Sequence, residues 1–319
     1  VNIFTAFGLF IVGFSLVLYF AEKLLKGAVG TSRGFGISAF FISVVFIGFD
    51  PENLAVGAVG TFNNMAGIAL GSIIGAAMVA IALALGITAF IAPMQFKRTP
   101  KRILILPNLA ILLLGLLSLD GVLSRIDGLI LFVGFIFSVI YLLWLNKKGY
   151  DIKPSDELFE TIAHAKKEHR WKDAGLLFLS LAAIIVGSEF IVMASKTMIR
   201  YFGLSGSFFG MIILAFLVSI EEIVRELPAA LKGRSEISFG NVVGSIFAFF
   251  LFNASIISMI KPVMVNQQTL FFYLPFCLFT MIVISLFMLT QRISRWMGGS
   301  LVILYLIFAT VGYLLNNMQ

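Results

Sequence analysis

Six charged side chains fall inside apolar segments of this 319-residue chain: Asp50 and Glu52 in one, and Glu221, Glu222, Arg225 and Glu226 in another. A charge at the centre of a membrane helix costs roughly 2.5–3.5 kcal/mol, so six of them, buried and unpaired, would cost roughly 15–20 kcal/mol. Groups placed this way must pair, face water or bind ions. Carboxylates, amides and hydroxyls are the ligands that hard cations such as Na⁺ and Ca²⁺ take. Asp50, Glu52, Asn53, Ser219, Glu222 and Ser245 supply that chemistry. No Cys or His cluster accompanies them, because Cys277 is alone and His164 and His169 lie in a polar midsection. That composition argues against a soft-metal centre. Glu222, Arg225 and Glu226 share one helix face, and Glu221 is one turn from Arg225. Two readings of this group follow. Arg225 can act as an internal counter-charge to Glu221 and Glu226, or the group can bind ions or protons with Glu222 as its carboxylate.

Membrane-spanning helices must position these residues. The chain is 60% hydrophobic and 12% charged, about half the charge of a soluble domain, with a mean hydropathy of +1.04. Segments long enough to cross the hydrocarbon fall near 3–21, 38–62, 67–91, 103–119, 126–145, 174–194, 206–231, 239–260, 270–290 and 298–316. The expected fold is therefore all-α and integral to the membrane, with ten helices. Residues 1–146 and 174–319 form two five-helix repeats, joined by a polar linker over 147–173 that carries an amphipathic turn at Leu158, Phe159 and Ile162. Loops after odd-numbered spans hold 18 Lys and Arg, against 4 after even-numbered spans. By the positive-inside rule the odd loops and the linker are cytoplasmic and both termini are outside. The net charge of +7 is thus a matter of topology, not of nucleic-acid binding.

The two halves resemble each other. FGIS at 35–38 matches FGLS at 202–205, LGSIIGA at 70–76 matches FGNVVGS at 239–245, and Glu22 matches Glu189, at separations of 167 to 169 residues. Five helices per half is an odd number, so the second copy must be inverted, an arrangement typical of secondary transporters with a midplane site. Pro51, within Gly48–Asn53, should break span two. The small-xxx-small pairs Gly71/Gly75 and Gly240/Gly244 suit close helix packing.

These motifs resemble those of the calcium/cation antiporter superfamily, the sodium/calcium exchanger group in particular, whose repeats read G-T-S-L-P-E and then G-N-x-x-G-S. The second repeat, LVSIEEIVRELPAALKGRSEISFGNVVGS at 217–245, aligns without gaps. On that resemblance Ser219, Glu222 and Ser245 fall on family ligand positions. The first repeat, GFDPENLAVGAVGTFNNMAGIALGSIIGA at 48–76, allows more than one register. Counting back from Gly71 puts Asn53 at the ligand carboxylate and Asp50 at the Ser, whereas matching Pro-Glu puts Glu52 there. Val218 and Phe49 replace the family Thr, Ala76 replaces the first Ser, and Phe249 and Ala80 replace later ligands. The resemblance implies a secondary active cation antiporter with altered selectivity or coupling. It would be a transporter and not an enzyme, without cofactor, carrying Na⁺, Ca²⁺ or H⁺ as a monomer in a prokaryotic plasma membrane. A proton-coupled exchanger and a transport-inactive relative are the alternatives.

Overall fold

The computed structural model describes residues 2–37, 50–96, 101–148 and 170–317. Helix α1 spans Ile3–Gly34 and α2 spans Pro51–Phe62. Helix α3 (Ala66–Ile91) leads into strand β1 (Met94–Gln95). Helix α4 (Ile105–Leu117), strand β2 (Val122–Leu123) and helix α5 (Arg125–Lys147) complete the first half. The second half runs α6 (Arg170–Phe202), α7 (Gly206–Leu231) and α8 (Ile237–Ile260). Strand β3 (Val263–Met264), α9 (Thr269–Leu289), strand β4 (Arg292–Ile293) and α10 (Arg295–Asn316) follow. Among the described residues, eight helices are long and apolar enough to cross a membrane.

The two remaining apolar segments are shorter. Helix α4 has 13 residues. Of the expected span 38–62, the structure describes the part from Asp50 onward. Its 12 helical residues rise about 18 Å, about half the hydrocarbon thickness. Residues 149–169 of the expected linker, with the turn at Leu158, Phe159 and Ile162, lie outside the described residues.

Helices α1 and α6 are longer than hydropathy suggests, at 32 and 33 residues. They pack on each other along their length, through glycines that admit the partner backbone. A Cβ at Gly13 would meet Phe190 Cβ at 2.9 Å, and one at Gly27 would meet the Leu177 backbone nitrogen at 2.7 Å. This packing carries α1 past the charged residues Lys23, Lys26 and Arg33, where its apolar sequence has already ended. Glu22 therefore lies inside the helix, paired with Lys26 one turn on.

Helix α3 is buried along its whole apolar length and α8 along most of it, whereas α1 is buried along less than a quarter. The two most buried helices are thus the two that carry the repeated LGSIIGA and FGNVVGS motifs. Gly67 and Gly71 of α3 lie against the backbone of Gly206 and Gly210 of α7, which accounts for the Gly71/Gly75 pattern as packing. The apolar interior forms two clusters. One is built from α1, α6 and parts of α2, α3 and α7, and the other from α3, α4, α5, α8, α9 and α10. Cys277 is free and buried in the second cluster.

Two short antiparallel ribbons tie the halves together. Strand β1 pairs with β4 in the register Met94↔Ile293, and β2 pairs with β3 in the register Val122↔Met264. Each ribbon joins one strand of 1–146 to one of 174–319.

Candidate cation site

Helix α2 starts inside the protein. Asp50 is its N-cap, in extended conformation, and Pro51 occupies the first turn. A proline at that position forfeits no helical hydrogen bond, so Pro51 opens a helix here and does not kink one. The Asp50 carboxylate accepts the Asn53 backbone N–H at 2.9 Å and the Asn53 side-chain amide at 2.7 Å. The same amide nitrogen donates to Ser219 Oγ at 2.9 Å. Asp50, Glu52 and Asn53 are each 1% exposed, and Ser219 is fully buried. This polar junction spans the two halves.

Ser219 ends the first segment of α7. The helix is interrupted at Ile220 and resumes at Glu221. Glu221 and Glu222 thus stand in the first turn of a new helical segment, where the positive end of the helix dipole favours carboxylates. Glu222 and Glu226 point to the buried side, while Glu221 is half-buried. The side chain of Arg225 lies outside the described residues.

Helices α7 and α8 run antiparallel across a short turn, which sets Asn241 beside both buried glutamates. Asn241 Nδ2 donates to Glu222 Oε2 at 2.9 Å and to Glu226 Oε1 at 2.8 Å. Ser245 lies one turn further along α8, fully buried, and its hydroxyl has no hydrogen-bond partner among the described residues. Among those residues no three acidic, His or Cys side chains converge as a metal cluster. Any cation held here would therefore rely on one or two carboxylates completed by amide and hydroxyl oxygens.

The residues singled out in the sequence thus divide into two groups. Asp50, Asn53 and Ser219 meet directly, and Glu222 and Glu226 meet through Asn241. Two amides carry weight that their sequence positions did not signal. Asn241 was visible as part of the GNVVGS motif but not as a bridge. Asn253, fully buried in a π-helical stretch of α8 (Ala248–Asn253), has neither amide atom hydrogen-bonded among the described residues. Such π stretches often mark functional helices, and α3 carries one at the matching place (Val79–Ala84).

An all-helical membrane bundle with buried carboxylates, amides and hydroxyls meeting between its halves has the build of a cation carrier. The sequence profile of the sodium/calcium exchanger protein family matches residues 5–144 and 172–314, and the chain belongs to that family. It is 27% identical over 241 residues to a putative antiporter, CaxA, of Alkalimonas amylolytica, covering 74% of each chain. An uncharacterized membrane protein of Methanocaldococcus jannaschii is 27% identical over 305 residues, covering 94% of this chain and 95% of the relative. The sodium/calcium exchanger MaX1 of Methanosarcina acetivorans is 30% identical over 141 residues, covering 44% of this chain and 40% of the relative. A solved structure of the sodium-calcium exchanger NCX_Mj shares the fold, with a TM-score of 0.61 at 23% identity over 96% of this chain and 98% of that one. Family and relatives support a cation antiporter, a transporter and not a catalytic enzyme.

Proposed function

We propose that this chain is a secondary active cation antiporter whose ion selectivity or coupling departs from sodium/calcium exchange, working by alternating access as a monomer in a prokaryotic plasma membrane. The cation ligands are drawn from Asp50, Glu52, Asn53, Ser219, Glu222 and Ser245. The observation that carries this reading is the buried Asn53 amide, which joins Asp50 of one half to Ser219 of the other. A site seated between halves can be uncovered to either side by moving one group of helices against another. The long α1/α6 pair, with its own apolar cluster, is the group that slides past α2, α3, α7 and α8.

The reading includes ten spans in two inverted five-helix repeats, with both termini outside and the linker cytoplasmic. The ribbons support it. β3 begins 169 residues after β1, and β4 begins 170 after β2. Each ribbon also joins loops that the charge count assigns to one membrane face.

The altered selectivity rests on Asn53, an amide at one register's place for the family carboxylate, which leaves Glu222 without an acidic mate at that position. The same feature keeps proton coupling as a second reading. Flux in proteoliposomes under separate Na⁺, Ca²⁺ and pH gradients tests both. Cation flux driven by a counter-gradient and abolished in Glu222→Gln is expected. Flux in Glu222→Gln equal to wild type would remove the site assignment and favour a transport-inactive relative. Ca²⁺ uptake that follows an outward Na⁺ gradient and ignores pH would exclude the proton-coupled form.

A further inference from the structure

Glu226 is buried, at 1% exposed, one helical turn from Glu222. The proposed exchange mechanism assigns it no part. Its Oε1 takes one hydrogen bond from Asn241, and its Oε2 has no hydrogen-bond partner among the described residues. The one amide nitrogen that it shares with Glu222 holds the two carboxylates close together. Ser238, Asn241 and Ser245 are spaced by three and four residues and so share one face of α8. Ser238 and Ser245 are fully buried, and neither hydroxyl is hydrogen-bonded among the described residues. That sets them apart from other buried helical serines. Ser195 and Ser258 return their hydroxyls to carbonyls one turn back, at 2.7 Å each.

We infer that Glu222, Glu226, Asn241, Ser238 and Ser245 form a divalent-cation subsite of Ca²⁺ size, built within the second half and displaced by one turn from the junction at Asn53. The inference rests on the exchanger reading for its transport role, but the binding site stands by itself. Two carboxylates neutralise a divalent charge without a carboxylate from the first half. Ca²⁺ takes six to eight oxygens at about 2.3–2.6 Å, so two of its ligands can lie up to about 5 Å apart. That is the scale on which a shared amide nitrogen holds Glu222 Oε2 and Glu226 Oε1. Rotation of the Asn241 amide by half a turn exchanges its nitrogen and oxygen. It then changes from a donor to both carboxylates into a third oxygen ligand. The two serine hydroxyls, with no helical carbonyl engaged, complete the neutral part of the shell.

The test is equilibrium ⁴⁵Ca²⁺ binding to the purified full chain in detergent, beside flux in proteoliposomes. Glu226→Gln should weaken Ca²⁺ binding by about 30-fold or more, and Ser238→Ala by about three- to tenfold, because affinity follows ligand charge and number. Glu226→Gln with Ca²⁺ affinity within twofold of wild type overturns the subsite. Should Glu226→Gln fail to fold, Glu226→Asp decides. The shortened carboxylate should cost about tenfold, and unchanged affinity overturns the proposal. Wild-type protein that binds Ca²⁺ through Glu226 but moves no cation would sink the exchanger reading and leave the subsite standing. Robust flux with Ca²⁺ binding indifferent to Glu226 would do the reverse.

Discussion

At a spacing of 169 residues the two halves place very different chemistry at matching positions. Asp50, Asn53, Gly57 and Ser72 stand in the first half where Ser219, Glu222, Glu226 and Asn241 stand in the second. In the first half the carboxylate is spent on capping its own helix and holding Asn53. Gly57 and Ser72 close on each other so tightly that a Cβ at Gly57 would overlap the Ser72 hydroxyl, which is itself turned back to the Ala69 carbonyl at 2.8 Å. In the second half the same two places carry a buried glutamate and the amide that serves it. One half has filled its pocket, and the other has kept one lined with oxygen. A duplicated architecture can therefore divide its labour, with one copy supplying the rigid wall and the other the ligands.

The strongest challenge to that contrast is to import the second half into the first. Gly57→Glu has no space against Ser72 and Ile257 Cδ1, which lies 2.5 Å from an added Cβ. Overpacking together with a buried charge should cost more than about 3 kcal/mol, read as loss of monodisperse protein on detergent extraction. Next, Asp50→Ala should cost about 2–4 kcal/mol by removing a helix cap and stranding the Asn53 donors. Its counterpart Ser219→Ala should cost about 1 kcal/mol, with thermal unfolding as the measure. Equal shifts for the two would erase the asymmetry at the junction. The third test uses the repeat pair Glu22 and Glu189. Glu189 accepts a 3.0 Å hydrogen bond from Asn63, whose carbonyl oxygen also accepts from Lys196 at 3.3 Å, so Glu189→Ala should cost about 1 kcal/mol. Glu22 pairs with Lys26 on its own helix, with both side chains more than half exposed. Glu22→Gln should then shift stability by less than about 0.5 kcal/mol, the smallest change of the series.

The parts of this molecule that were legible in the sequence are those set by composition over long windows. The apolar spans, the polar midsection and the membrane class follow from hydropathy, and the Asn53–Ser219 junction lies where the repeat spacing brought the two motifs together. Helix lengths were less legible. Lys23, Lys26 and Arg33 mark the end of an apolar run, yet packing against α6 extends α1 to Gly34. Gly30 faces the Asp173 side chain there. Pro51 reads as a breaker, and only the chain geometry at Asp50 makes it a helix start. The interruption at Ile220 has no glycine or proline at that residue to announce it. The role of Asn241 depends on how two antiparallel helices face each other, which local residue types do not encode. Nor does an apolar run such as Val79–Ala84 declare that its hydrogen bonds have shifted to π spacing.

The two ribbons have a further consequence for assembly. Met94 pairs with Ile293 and Val122 with Met264, so the halves are clasped at two separate points independently of the peptide that connects them. A chain severed within 149–169 and produced as two polypeptides in one cell should re-form the same particle, each piece serving as the other's template. The molecule can in that sense be treated as a heterodimer that happens to be encoded in one reading frame.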